Sequence, residues 1–150
     1  ARIGARAAAG RVLMVASGTL AAEGKIGGVA PDLPERLARF FEYVLVEADG
    51  SRRLPVKAPG PAEPVMPTGT DLVLGCAGLD CLGAPIAAAT VHRHELFARL
   101  VGAAPGEAIT AAHLVALATA QGGLFKASPP SARRARRRAA MRRTGCRKPR

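Results

Sequence analysis

The sequence predicts an α/β fold built on a mostly parallel sheet. Three observations point there: apolar runs at 11–18, 43–48 and 70–78 that do not alternate with polar residues, helical patterns between and after them, and turn residues at the junctions. Strands covered on both faces read as continuous apolar runs. Strand, helix, strand in that order is the signature of a parallel sheet with helices on its faces. At 150 residues the chain is one domain by length and long enough to bury a sizeable core. Its 49% hydrophobic content rests on Ala, Val and Leu, because only four Phe and one Tyr occur and Trp is absent.

RVLMVASG at 11–18 reads as the first buried strand, closed by Ser-Gly and followed by a glycine-rich connection holding Lys25. DLPERLARFFEY at 32–43 predicts a short helix. Asp32 can cap it, Pro34 suits its first turn, and Glu35 stands at the capping-box position. Leu33, Leu37 and Phe40 or Phe41 share one face and read as core. YVLVEADG at 43–50 is the second strand and TDLVLGCAG at 70–78 the third. HRHELFARLVG at 92–102 is a helix stopped by Gly102. ITAAHLVALATAQGG at 109–123 is another, with Thr110 as N-cap and Gly122 or Gly123 as terminator. No internal repeat is present.

Charge is unevenly placed. The net +11 separates into +1 over residues 1–130 and +10 over residues 131–150, a tail without a single acid. The domain therefore ends at 130, and the Arg-rich tail of 131–150 predicts disorder. Cys76, Cys81 and Cys146 have no zinc spacing. Cys76 and Cys81 are open to a redox-pair reading, though buried inert thiols fit better. No disulfide framework is implied, which points to the cytoplasm. No apolar run reaches the about 18–20 residues of a membrane span, so no membrane is expected. Arg2, Arg6 and Arg11 stand in an Ala-rich start whose apolar run is too short for a signal peptide. The chain opens on Ala rather than Met, which reads as a fragment or a processed product.

Chemistry concentrates in VLVEADGSRRLPVKAPGPAEPV at 44–65. In open α/β sheets, ligands bind beyond the carboxyl ends of the strands. Glu47 and Asp49 fall at such an end, and the two-residue strand period turns both side chains the same way. An aspartate after an apolar strand is a usual holder of Mg²⁺ in phosphate-handling folds, directly or through water. Gly50 allows the sharp turn that follows. A plain Asp-Gly turn beside a solvated glutamate fits the same residues. Pro55, Pro59, Pro61, Pro64 and Pro67 stiffen the loop after them, and Arg52, Arg53 and Lys57 offer positive charge to an anion. A proline-rich spacer is the competing reading. Asp80, at the end of the third strand, is a second candidate for the site or another turn residue. His92, Arg93 and His94 form a polar helix start. The three histidines make no metal set, and no nucleophile–base pair can be argued.

The blocks EADGSRRLPVKAP, EPVMP, TDLVLGCAGLDCLGAPI, VHRHELFARLVG, ITAAHL and GGLFK, in that order over about residues 12–128, resemble the YqeC family. That family is described as selenium cofactor biosynthesis proteins, accessory to selenium-dependent molybdenum hydroxylases. The resemblance implies a partial P-loop NTPase-like, three-layer fold and a role in maturing such a hydroxylase, with the hydroxylase or its cofactor-assembly proteins as partners. It also implies Mg²⁺ with ATP or GTP as cofactors. Glu47 and Asp49 would be the catalytic pair and Asp49 the metal ligand, with Gly50, Ser51, Arg52, Lys57, Glu63 and Asp80 binding the cofactor. The family's G-K-T-T phosphate loop is expected before residue 1, and EGKIGG here lacks its spacing and its Ser/Thr.

After GGLFK the family pattern continues with an apolar strand and an N-K-x-D-like motif, where this chain has SARRARRRAAMRRTGCRKPR. That tail reads as a basic arm binding nucleic acid non-specifically, as a self-repelling helix over 131–143, or as out-of-frame translation of GC-rich DNA. The abrupt end of the family pattern favours the last. The leading function is the selenium cofactor accessory role. The alternatives are a Mg²⁺-dependent small-GTPase- or kinase-like enzyme, and a nucleic-acid binder working through 131–150.

Overall fold

The computed structural model describes residues 10, 12–20 and 25–139. The chain falls into two compact units, Ala1–Glu47 with Pro67–Gly69, and Ala48–Met66 with Thr70–Arg150. Arg2, Arg6, Arg11, Cys146 and the rest of 140–150 lie outside the described residues.

In the first unit β1 (Thr19–Leu20) and β2 (Lys25–Ile26) pair antiparallel, and α1 (Leu33–Leu37) follows. Pro34 lies in the first turn of α1, as its fixed φ allows. The Asp32 carboxylate makes no cap and instead meets Arg36 Nη1 at 3.4 Å. Two expected strands do not form. Residues 12–18 and 43–50 carry no ladder, and Val12, Met14, Tyr43 and Leu45 are exposed. A buried parallel strand needs neighbours on both edges and cover on both faces. Within this unit the described residues supply only a two-residue hairpin and one five-residue helix. For the same reason Leu33, Leu37 and Phe41 are only half-buried and Phe40 is exposed, so they build no core there.

The second unit mixes helices with short parallel strand pairs, consistent with an α/β fold. β3 (Val56–Lys57) runs parallel to β5 (Val91–His92), with Lys57 opposite His92. β4 (Leu72–Gly78) runs parallel to β6 (Arg133–Ala139). Gly78 N–H donates to Pro55 O at 2.7 Å, joining the two pairs at the carboxyl end of β4. β4 buries only alternate residues, Val73 and Gly75, and exposes Leu72 and Leu74, so it is not covered on both faces. Part of the Arg-rich tail is in a strand, where disorder or a helix over 131–143 was expected. Strand pairing satisfies the backbone of 133–139 against the edge of β4 whatever the side-chain charge.

α2 (His94–Val101) and α3 (Ala111–Thr119) complete the unit. Gly102 ends α2 in the left-handed region (φ 71°), and Ala103 N–H reaches back to Ala98 O at 3.0 Å, the ending only glycine enters freely. Thr110 caps α3 as expected, with an added reciprocal bond. Thr110 Oγ1 accepts from His113 N–H, and His113 Nδ1 accepts from Thr110 N–H, both at 3.3 Å. α3 stops at Thr119, before the glycines expected to end it, because Ala120 turns extended (ψ 140°). Gly123 serves another purpose: a Cβ there would overlap the Leu117 carbonyl. Phe97, Ile86, Ile109, Leu117, Val56 and Val91 form the core between these helices and β3–β5. Each such side chain contributes about 1.5–3 kcal/mol on burial. Cys81 joins that core, and burial raises its thiol pKa, with Asp80 adding to the effect. It is the inert thiol expected, whereas Cys76 is exposed on β4. Among the described residues no helix is long and apolar enough to cross a membrane.

Candidate functional site

The loop between Ala48 and Met66 is not a solvated spacer. Val56 to Gly60 and Pro64 are buried, and the loop closes on a chain of alternating charges. Lys57 is the centre. Being in β3, it has its backbone fixed beside His92, and its side chain is only 8% exposed. Three oxygens surround its ammonium group, the number of its donors: Gly50 O at 2.8 Å, Asp49 Oδ2 at 2.9 Å and Glu63 Oε2 at 2.7 Å. Removing that charge from water costs several kcal/mol unless it is paired in this way, about as much as burial of any ion.

Glu63 carries the chain onward. Arg93 grips it with both ends of its guanidinium, Nη1 to Oε2 at 2.9 Å and Nη2 to Oε1 at 2.8 Å. Such bidentate pairs combine charge with planar geometry. Hydrogen bonds from Arg93 and then Lys57 pull the Glu63 carboxyl down to about 2, and the pair raises Arg93 above its ordinary value. Arg93 occupies the single residue between β5 and α2 and adopts φ 62°, ψ 54° to make that turn. A left-handed conformation costs a non-glycine residue about 1–2 kcal/mol. The side chain is thereby directed back at the loop, where Nη1 also donates to Ala58 O at 3.2 Å. Gly60 leaves the guanidinium its room, since a Cβ there would stand 3.0–3.1 Å from its Cζ, Nε and Nη2. Lys126, beyond α3, holds the same loop by donating to Gly60 O and, at 2.9 Å, to Pro61 O.

Of the residues expected in the site, Asp49, Gly50, Lys57 and Glu63 are brought together. Ser51 supports the adjoining turn through Oγ to Leu54 O at 2.8 Å, and Arg52 and Arg53 project from that turn, exposed. Glu47 is exposed and ends the first unit, in a segment without the strand that was to align it with Asp49. Asp80 is exposed in the 3-10 turn Leu79–Cys81, and no hydrogen bond or ion pair ties it to the network. Arg93 and Lys126 are the residues that sequence reasoning missed as site members. The only sequence signal for Arg93 is a lone base in a polar helix start, 30 positions from the glutamate it binds. Asp49 is 24% exposed, and among the described residues no hydrogen bond or ion pair engages its Oδ1. Among the described residues no group of three or more His, Cys, Asp or Glu is placed to hold a metal on its own.

Residues 3–95 match the family model described as YqeC protein, a span that includes Asp49, Lys57, Glu63 and Arg93 but not Lys126. Over 114 residues the chain is 37% identical to the "Uncharacterized protein YqeC" of Escherichia coli (strain K12). That alignment covers 75% of this chain and 44% of the relative, so the chain spans less than half of the relative's length. No solved structure matches the chain. A family match over more than half of the sequence, carrying the charge network with it, means that this chain belongs to the YqeC family.

Proposed function

We propose that the chain is part of an accessory protein for selenium cofactor biosynthesis, which assists the maturation of selenium-dependent molybdenum hydroxylases. In this reading the protein binds ATP or GTP with Mg²⁺ on a P-loop-type fold. Family membership supports the reading. The observation that carries it is the Asp49 carboxylate, 24% exposed, fixed by Lys57 through Oδ2 and without a partner at Oδ1 among the described residues. Mg²⁺ at nucleotide sites takes one or two carboxylates and fills its remaining positions with water and phosphate oxygens. A lone, anchored aspartate fits that demand, and the lack of a three-ligand cluster among the described residues does not weigh against it. Asp49 would hold the ion, which when bound would neutralise phosphate charge.

The other residues keep stated tasks. Lys57 fixes the direction of Asp49, and Glu63 with Arg93 holds Lys57 in place. Gly50 and Ser51 shape the turn, and Arg52 offers charge to the ligand. Glu47 is the candidate for proton transfer, and Asp80 for a further cofactor contact. The test is the selenium content of a molybdenum hydroxylase purified from cells in which this gene is disrupted. Selenium should fall while molybdenum stays, the intact gene should restore it, and the Asp49→Ala gene should not. Unchanged selenium in the disrupted strain refutes the proposal.

A further inference from the structure

Glu107, Thr110 and His113 tie the start of α3 to the segment before it. That segment, 104–109, is itself fixed. Gly106 N–H donates to Ile86 O at 2.9 Å, Ile86 N–H to Glu107 O at 2.8 Å, and Ile109 N–H to Ala84 O at 2.9 Å. Ile109 is also buried in the core. From this frame the Glu107 side chain turns back, its Oε2 accepting from Ala104 N–H at 3.1 Å. Its Oε1 stands 3.5 Å from His113 Nε2. The other ring nitrogen, Nδ1, accepts from Thr110 N–H. His113 thus meets a donor at Nδ1 and an acceptor at Nε2, and its side chain is only 14% exposed.

These two partners select one tautomer. A neutral imidazole has one bare nitrogen and one N–H, so Nδ1 is bare and Nε2 carries the hydrogen. A second proton has only Nδ1 to go to, the nitrogen that closes the capping box. The imidazolium donates from both nitrogens, and Nδ1–H would then face Thr110 N–H, donor against donor at 3.3 Å. Nε2 meets no such conflict, because Glu107 is the acid beside it. No other titratable side chain occurs in 102–119. α2, which packs against α3, carries His94, Glu95 and Arg99, and among the described residues none of them pairs with His113. The glutamate or glutamine usual at this position of a capping box accepts at any pH near neutrality. Histidine is the side chain whose ordinary range puts its charge change between about pH 5 and 8.

We propose that His113 is a proton-operated latch on α3. Neutral, it closes the first turn of the helix onto Thr110 and spans to Glu107. Protonated, it lets go of Thr110 N–H and is held by Glu107 alone. The first turn then loosens while the body stays folded, because Ile109, beside the latch, keeps its own bond to Ala84. Nothing in this device depends on the Asp49 network or on the function proposed for it.

Amide hydrogen exchange read by NMR on the full chain, between about pH 8 and 5 and corrected for intrinsic exchange, tests the latch. Protection of the Thr110 amide should fall about fivefold or more toward the acid end, the weight of a typical cap bond. The Ile109 amide should keep its protection over the same range. His113→Gln, whose side-chain carbonyl accepts from Thr110 N–H at either pH, should hold Thr110 protected throughout. Glu107→Gln takes away the anion that receives the imidazolium, so the loss at Thr110 should move to lower pH. Nitrogen shifts of the ring at pH 8 should show Nδ1 bare and Nε2 protonated. Constant Thr110 protection in the wild type, or the same loss in His113→Gln, overturns the latch, as does the opposite tautomer. Equal loss at Ile109 overturns its local character, and an unmoved transition in Glu107→Gln overturns the part given to Glu107.

Discussion

Glu63→Gln removes the acid shared by Lys57 and Arg93. Three charge-assisted hydrogen bonds converge on this carboxylate, one from Lys57 and two from Arg93. Its folded-state pKa of about 2 lies below the ordinary 4.5. At about 1.4 kcal/mol per unit that difference corresponds to about 3 kcal/mol. The side chain keeps 32% of its surface in solvent. Screening reduces the contribution to about 1–2 kcal/mol. Glutamine keeps one acceptor but turns an amide N–H toward donors that are already cationic, which brings the expected loss to about 2 kcal/mol at pH 7. Because the folded value is the lower one, this stability is present above pH 4.5 and is lost as pH falls toward about 2. Urea unfolding of both proteins at matched pH from 7 down to 2 gives the difference directly. The gap should close over the lower part of that range. Equal stability at pH 7, or a gap that stays constant down to pH 2, would refute the account of the network.

Lys57→Met should destabilise by about 2–4 kcal/mol in chemical unfolding, since Asp49 and Glu63 then face one another without the buried cation between them. Gly123→Ala should cost at least about 2 kcal/mol and lower the helical signal, because the new methyl group has to displace the Leu117 carbonyl at the end of α3. Phe97→Ala should cost about 3–5 kcal/mol, the largest single core effect, read from the unfolding midpoint. Asp49→Ala should weaken any Mg²⁺-nucleotide binding measured by calorimetry, and unchanged affinity would remove Asp49 from the metal role.

The sequence carried the local features well and the long-range ones poorly. Thr110 and Gly102 mark their helix ends through bonds within a few residues, so their positions are readable from the chain alone. A histidine completing the Thr110 box was not, because the motif is defined for Glu or Gln. Asp49, Lys57 and Glu63 were named from a 15-residue stretch and do converge. Arg93 reaches them only through the β3–β5 register, which no spacing in the sequence encodes. The apolar runs at 12–18 and 43–48 have strand composition but no ladder. A strand belongs to a pair, and composition describes only one member. The 133–139 segment is the converse: its charge argues against structure, and an open neighbouring edge gives it one.

The alternation of signs through Asp49, Lys57, Glu63 and Arg93 has an effect on how the loop meets its surroundings. A row of charges that cancels pairwise has a field that dies within a few ångströms, well inside the about 8 Å Debye length of a physiological medium. Dissolved ions then find little to screen, and the loop should hold its shape across buffers. The two arginines of the neighbouring turn have no acidic partner among the described residues, and their field extends into the solvent. Ionic strength would therefore act on the protein as a selective dial, weakening what the turn attracts while leaving the frame that presents it intact.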